Sequence, residues 1–149
     1  MKKIGLILLI CLVALLTACN SAERQAFEKN QAVWKAQAIP NYRFHFEIGC
    51  NCPWRALMPL AVEVKDGEIV SMVASNGGDF TNFQDTFRAH ATIEKLFELV
   101  DSAISKGVYK LAVQYDGRYG FPSSTIIDPS RFITDDATGY YVTDFEALP

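Results

Sequence analysis

Two cysteines separated by one residue, in Cys50-Asn51-Cys52-Pro53, are the sharpest chemical feature inside the chain. Thiols this close have three uses: a structural disulfide, a redox-active dithiol, or half of a soft metal site. In an extended strand, side chains two residues apart stand roughly 6–7 Å from each other. A disulfide needs its Cβ atoms about 3.8 Å apart. A Cys50–Cys52 bridge therefore requires the chain to turn at Asn51, and Gly49, Asn51 and Pro53 are residues that turns favour. Closing so short a loop removes little chain entropy, so the expected disulfide sets the shape of a corner. The alternative is a thiol-redox or thiol-metal protein using the same pair. Asn51 and Pro53 bring no cation to lower a thiol pKa. Strand parity turns His45 away from Cys50, and His90 is distant along the chain, so a third metal ligand is missing.

Carboxylates gather toward the C-terminus: Asp116, Asp128, Asp135, Asp136 and Asp144. Two of them could act as acid and base on a glycoside, or several could bind calcium. However, Asp116-Gly117, Asp128-Pro129 and Thr134-Asp135-Asp136 read as turns, and no D-x-D-x-D-G loop exists. The run Tyr115-Asp116-Gly117-Arg118-Tyr119-Gly120-Phe121-Pro122 offers large side chains with polar tips, the kind that anchor partners. Its Gly and Pro residues are also what a hairpin connection demands. The binding candidates are therefore Tyr115, Asp116, Arg118, Tyr119, Asp135 and Asp136. No Gly-x-Ser-x-Gly, Ser-x-x-Lys or His-Glu-x-x-His motif occurs, and Gly77-Gly78 lacks the Lys-Ser/Thr of a phosphate loop. No catalytic residue, metal or cofactor is expected.

A third cysteine, Cys19, decides the address. Lys2 and Lys3 precede an apolar run over residues 4–16. That run falls short of the roughly 20 residues that span a bilayer, yet suits a secretory leader. It closes with Leu16-Thr17-Ala18-Cys19. This resembles the lipobox of bacterial lipoproteins, which implies cleavage before Cys19 and a diacylglycerol on its sulfur. An ordinary leader site on a soluble periplasmic protein is the plainer alternative. Cys11 lies within the leader. Residues 1–18 are thus expected to be a signal peptide, and 19–149 one domain behind a short lipid tether. Asn20, being no aspartate, by the same resemblance permits export to the outer membrane, facing the periplasm. In a host with one membrane the protein stays on its outer face. The expected partners are the membrane, through the diacylglyceryl-cysteine, and an envelope protein.

The bulk numbers fit that address. Half the chain is apolar and 21% is charged, enough to bury a core without disorder. The 17 acidic side chains outnumber 14 basic ones, and loss of the leader removes two of the latter, Lys2 and Lys3. No basic stripe exists to neutralise phosphates, so nucleic acid is excluded as a partner.

Several elements must position these groups. Ser21 caps a helix through Gln37 that carries Phe27 and Trp34, ended by Ile39-Pro40-Asn41. Residues 42–50 alternate, with Tyr42, Phe44, Phe46 and Ile48 on one face. Residues 60–64 and 69–73 flank Asp66-Gly67, the strongest hairpin signal. A two-residue turn there sets Val64 against Ile69 and Val62 against Ser71. Phe80, Phe83 and Phe87 have helical spacing in an otherwise irregular stretch, fit to cover one end of a sheet. Thr92 caps a helix that buries Ile93, Leu96, Phe97, Val100 and Ile104 and ends at Lys106-Gly107. Residues 110–116, 124–128 and 140–145 read as strands. The order α-βββ-α-βββ, with connections too short for crossovers, predicts an α+β fold. Its antiparallel sheet has about six strands, with the two main helices on one face. Leu60-Ala-Val-Glu-Val and Leu111-Ala-Val-Gln-Tyr hint at a repeat of one helix plus three strands.

These landmarks line up with a pattern of Trp34, Tyr42-x-Phe44, Cys50-x-Cys52-Pro53 and Val62-x-Val64-x-x-Gly67. Thr92-Ile93-Glu94-x-Leu96-Phe97, Tyr115-Asp116, Tyr119-Gly120-x-Pro122, Asp128 and Asp135-Asp136 complete it. The set resembles a bacterial lipoprotein-type domain family of unknown function. Ala137 departs from it, standing where an acidic residue often follows the paired aspartates. The resemblance implies the fold and the address. The functional expectation is a lipid-anchored envelope protein that binds a partner without catalysis.

Overall fold

The computed structural model describes residues 22–133 and 135–149. The leader, Cys19 and the Ser21 cap lie outside the described residues. Strand β1 (Tyr42–Gly49) organises the molecule, because its alternation is complete. Tyr42, Phe44, Phe46 and Ile48 are at most 3% exposed, while Arg43 and Glu47 face water. Helix α1 covers residues 22–37, and β2 (Leu60–Lys65) and β3 (Glu68–Ala74) follow β1. Then come α2 (Gln84–Arg88), α3 (Ile93–Lys106), β4 (Lys110–Tyr115), β5 (Pro122–Asp128) and β6 (Thr138–Ala147). The sheet order is β3-β2-β1-β6-β5-β4, every neighbouring pair antiparallel. Each group of three strands forms a meander, and β1 joins β6 at the centre.

Both main helices cover the face that carries Tyr42. Thr92 starts α3, its hydroxyl accepting from the Lys95 N–H at 3.2 Å, and Gly107 ends it in the left-handed conformation. The buried stripe of α3 is Ile93, Leu96, Phe97, Val100, Ala103 and Ile104. Phe27 of α1 meets Phe97 edge-on, and Trp34 meets Tyr42, Phe121 and Phe145. Trp54, Phe80, Phe83 and Phe87 form a second aromatic group over one end of the sheet, carried by the 3-10 turns Arg55–Leu57 and Thr81–Phe83 and by α2. His90 packs against Tyr140 at 5.1 Å. Burial lowers its pKa, and the Lys95 charge adds to the effect.

One polar cluster ties the layers together. Glu94, in the first turn of α3, accepts the Trp34 indole N–H at 3.1 Å and the Tyr42 hydroxyl at 2.8 Å. The Tyr42 oxygen in turn accepts the Ile93 N–H at 3.1 Å, so the phenol helps cap α3. Burial, reinforced by the Glu94 charge, raises the Tyr42 pKa and keeps the phenol a neutral donor.

Three register shifts depart from simple alternation: one in β3, one in β6 and one at Ser123 in β5. Asp66 and Gly67 both take positive φ, 50° and 79°, as a tight hairpin turn requires, and Val64 faces Ile69. The expected Val62–Ser71 pair does not form. Glu63 faces Ser71 and Val62 faces Met72, because Val70 is an extra residue in β3. The shift places Met72 on the core side and leaves Val70 54% exposed. In β6 the register slips between the partners of Arg43 and His45. Strand β6 is also longer than residues 140–145, because pairing with β1 continues to Ala147.

Replacing Tyr42 with Phe leaves the Ile93 N–H without its acceptor and takes from Glu94 Oε2 its donor, while Trp34 still donates to Oε1. Urea unfolding should show a loss of about 1–3 kcal/mol with an unchanged slope.

Candidate functional site

The face opposite the helices carries Arg43, His45 and Glu47 of β1. Their cross-strand partners put Ala61 and Glu63 beside them on one side, and Tyr141, Thr143 and Glu146 on the other. Asp144 is the extra residue in β6, held at φ 52°, in the left-handed region. Strict alternation from Val142 would turn Phe145 outward. The insertion lets Val142 and Phe145 both reach the core and frees the Asp144 carboxylate for the open face. There its Oδ2 lies 2.8 Å from His45 Nδ1 and accepts the Thr143 hydroxyl at 3.4 Å. Beside it, Arg43 Nε donates to Glu146 at 2.8 Å. These exposed pairs add at most about 1 kcal/mol each, so their main consequence is to fix where the charges stand.

Two shallow hollows mark this face. One, of about 450 Å³, includes Arg43, His45, Glu63, Ser71, Val73 and Asp144. The other, of about 490 Å³, includes Glu47, Cys50, Asn51, Arg55, Asp135 and Tyr141. Gly49 and Gly139 face each other across β1 and β6, and the Tyr141 ring lies over both. A Cβ at Gly49 would stand 3.1 Å from Tyr141 Cε2, so the glycine makes room for the ring. Cys50 and Cys52 are joined by a disulfide with Cα atoms 5.2 Å apart, and Cys50 borders this second hollow.

A larger cleft of about 540 Å³ lies between α1 and α3, bordered by Trp34, Lys35, Ile39, Glu94 and Phe97. Its central carboxylate, Glu94, already holds Trp34 and Tyr42. The cleft therefore belongs to the structural cluster.

The binding candidates read from sequence do not meet. Tyr115, Asp116, Arg118 and Tyr119 sit where β4 turns into β5, whereas Asp135 and Asp136 lie at the opposite end, just before β6. Asp116 Oδ1 accepts the backbone N–H groups of Arg118 at 2.9 Å and Tyr119 at 2.6 Å, closing its own turn. Tyr119 stacks on Phe121 and meets Phe145 at 5.0 Å. Gly120, at φ 79°, presses on α1, and a Cβ there would stand 2.7 Å from the Asn30 carbonyl oxygen. Tyr115 shares a small cavity with Glu23, Ala26 and Ile104, where burial pushes its phenol up to about 12. Asp116 and Arg118 are engaged within the turn itself, and Gly120 packs it against α1.

The carboxylates separate as well. Asp128 accepts the Ser130 N–H at 3.2 Å, Asp135 borders the Cys50 hollow, and Asp144 pairs with His45. Among the described residues no group of three or more His, Cys, Asp or Glu side chains is placed to hold a metal ion. Nor is any described helix long and apolar enough to cross a membrane. Sequence reasoning did not single out Glu63, Glu146 or Tyr141. The available signals were Gly139 within a strand and the spacing of Val142 and Phe145, which breaks period two.

Asp144 tests the geometry of this face. Asp144→Val should cost about 1–2 kcal/mol in thermal or urea unfolding, because a β-branched residue resists positive φ. Asp144→Gly should stay within about 0.5 kcal/mol of the parent, since glycine adopts that backbone freely.

No curated protein and no solved structure matches the chain. A family model does match, over residues 26–147, from α1 to the end of β6, and its description is a family of unknown function. The span takes in most of α1, all of α3, all six strands and both hollows, so the chain belongs to the DUF6174 family.

Proposed function

We propose that this protein is a lipid-tethered module of the bacterial envelope that binds another envelope polypeptide on its open sheet face, without catalysing a reaction. The single observation that carries the reading is the sheet face that no described helix covers, with its two hollows and fixed charges. Small ligands are held in concave sites that bury most of their surface. These hollows are broad and shallow, which favours a protein surface. Both charge signs are present in each: Arg43 with Glu63 and Asp144, and Arg55 with Glu47 and Asp135. Such alternation selects a partner by electrostatic register.

The tether rests on the run from Lys2 through Leu16-Thr17-Ala18-Cys19. Two or more acyl chains on Cys19 meet the condition for stable anchoring. The site of display is the periplasmic face of an outer membrane, or the outer face of a single cell membrane.

One observation favours a second reading, in which the Cys50–Cys52 pair does thiol chemistry. Arg55 borders the same hollow as Cys50, and a guanidinium near a thiol favours the thiolate. Alkylation with and without mild reductant, followed by intact-mass measurement, separates the two. Ready reduction at a low thiol concentration supports redox work, and a pair that stays oxidised supports a fixed corner.

The main reading is tested by photocrosslinking in intact cells. A photoreactive side chain at Ser71 or Glu47 should capture one discrete protein, and the same group at Lys29 on α1 should not. Arg43→Glu should reduce the Ser71 adduct about tenfold, the equivalent of about 1.4 kcal/mol. Capture from Lys29 alone, or none from the open face, contradicts the reading.

A further inference from the structure

We propose that the domain's tether end lies on the bilayer and that the tip Arg131-Phe132-Ile133 inserts into the lipid headgroup region. The inference rests on the acylated Cys19 of the reading above and adds an orientation and a second membrane contact. Helix α1 enters the structure beside the start of β4. Glu23 shares a hollow of about 210 Å³ with Ile104, Gly107, Tyr109 and Lys110. Farther along, Ala26 lies with Val113 and Tyr115, and Asn30 and Val33 reach Gly120, so α1 runs from the start of β4 toward its end. Cys19 is three residues before Ala22. Whatever its conformation, that length spans at most about 10 Å. An acyl chain on Cys19 therefore holds the Tyr109–Lys110 end of the domain against the membrane.

That same end bears the most exposed large apolar side chains among the described residues. Lys110 pairs with Asp128, and the chain leaves β5 there to make the loop that returns at Thr138. Asp128 accepts the Ser130 N–H at 3.2 Å, and the Ser130 hydroxyl accepts the Phe132 N–H at 3.2 Å. This turn presents Phe132 at 85% and Ile133 at 61% exposure, and Tyr109 is 59% exposed at the foot of β4. The Arg131 guanidinium lies over the Phe132 ring, 5.2 Å from its centroid. A ring and an aliphatic side chain beside a cation match the interface, where the ring enters and the guanidinium stays with the phosphates.

The charges at this end are mixed. Lys106, Lys110 and Arg131 are set against Glu23, Asp128, Asp135 and Asp136. Attraction to anionic lipid is thus weak, and insertion relies on apolar burial. The tether supplies a high local concentration, so even a small apolar tip stays engaged. Insertion should consequently occur on uncharged phosphatidylcholine and survive high salt.

The test uses the full processed chain in phosphatidylcholine vesicles, with brominated acyl chains as quencher. Phe132→Trp should lose about half of its added emission and shift to the blue, as expected for a ring about 5–10 Å into the interface. Arg118→Trp, at the other end of β4, should be unchanged; the parent, with Trp34 and Trp54, supplies the background. An acylated chain in which neither probe is quenched, or both equally, overturns the insertion and leaves the tether standing. A mature N-terminus without acyl groups overturns the tether, and this inference with it.

Discussion

A single carboxylate holds three elements in place. Trp34 and Tyr42 are 6% and 0% exposed, so their polar atoms must find partners inside the protein. Glu94 supplies both, and its position in the first turn of α3 suits a negative charge. Because the Tyr42 oxygen also receives the Ile93 N–H, α1, β1 and the start of α3 meet within a few ångströms. Charge-assisted bonds of this kind are directional, and they fix the angle at which the helices cross the sheet. The rings of Phe27, Phe121 and Phe145 then fill the space that the three elements enclose.

Closing one face in this way leaves the other, among the described residues, without a helix. Its character follows from the constraint on the core side. Val142 is buried and Phe145 packs against the core on the same side, which forces an extra residue into β6, and Asp144 takes the strained position. The same insertion aims the Asp144 carboxylate at His45. The paired glycines at 49 and 139 act similarly, giving the Tyr141 ring a place to lie. The open face is thus shaped by what the buried face demands.

Much of the architecture was legible from local pattern. The alternation in 42–48, the Asp66-Gly67 turn, and Thr92 with Gly107 at the ends of α3 each have a local physical cause. The register beyond Val64 did not follow from the turn, because a bulge at Val70 costs one residue and leaves no composition signal. The site was harder to see. Tyr119 and Asp116 are types that bind partners, yet Phe145 and the turn's own backbone, brought near by folding, engage them. Asp135 and Cys50 are 85 residues apart and border one hollow only because Gly139 pairs with Gly49. Contacts between distant segments are set by strand order, which local periodicity does not encode.

The two histidines report on opposite faces: His45 lies on the open sheet and His90 on the helix side, between α2 and α3 against Tyr140. Carbethoxylation of both, followed by peptide mass spectrometry, can compare purified protein with intact cells. If the open face is occupied in the envelope, His45 reacts in the purified protein and is protected in cells, while His90 is the same in both. Equal reactivity of His45 in the two settings would contradict an occupied face.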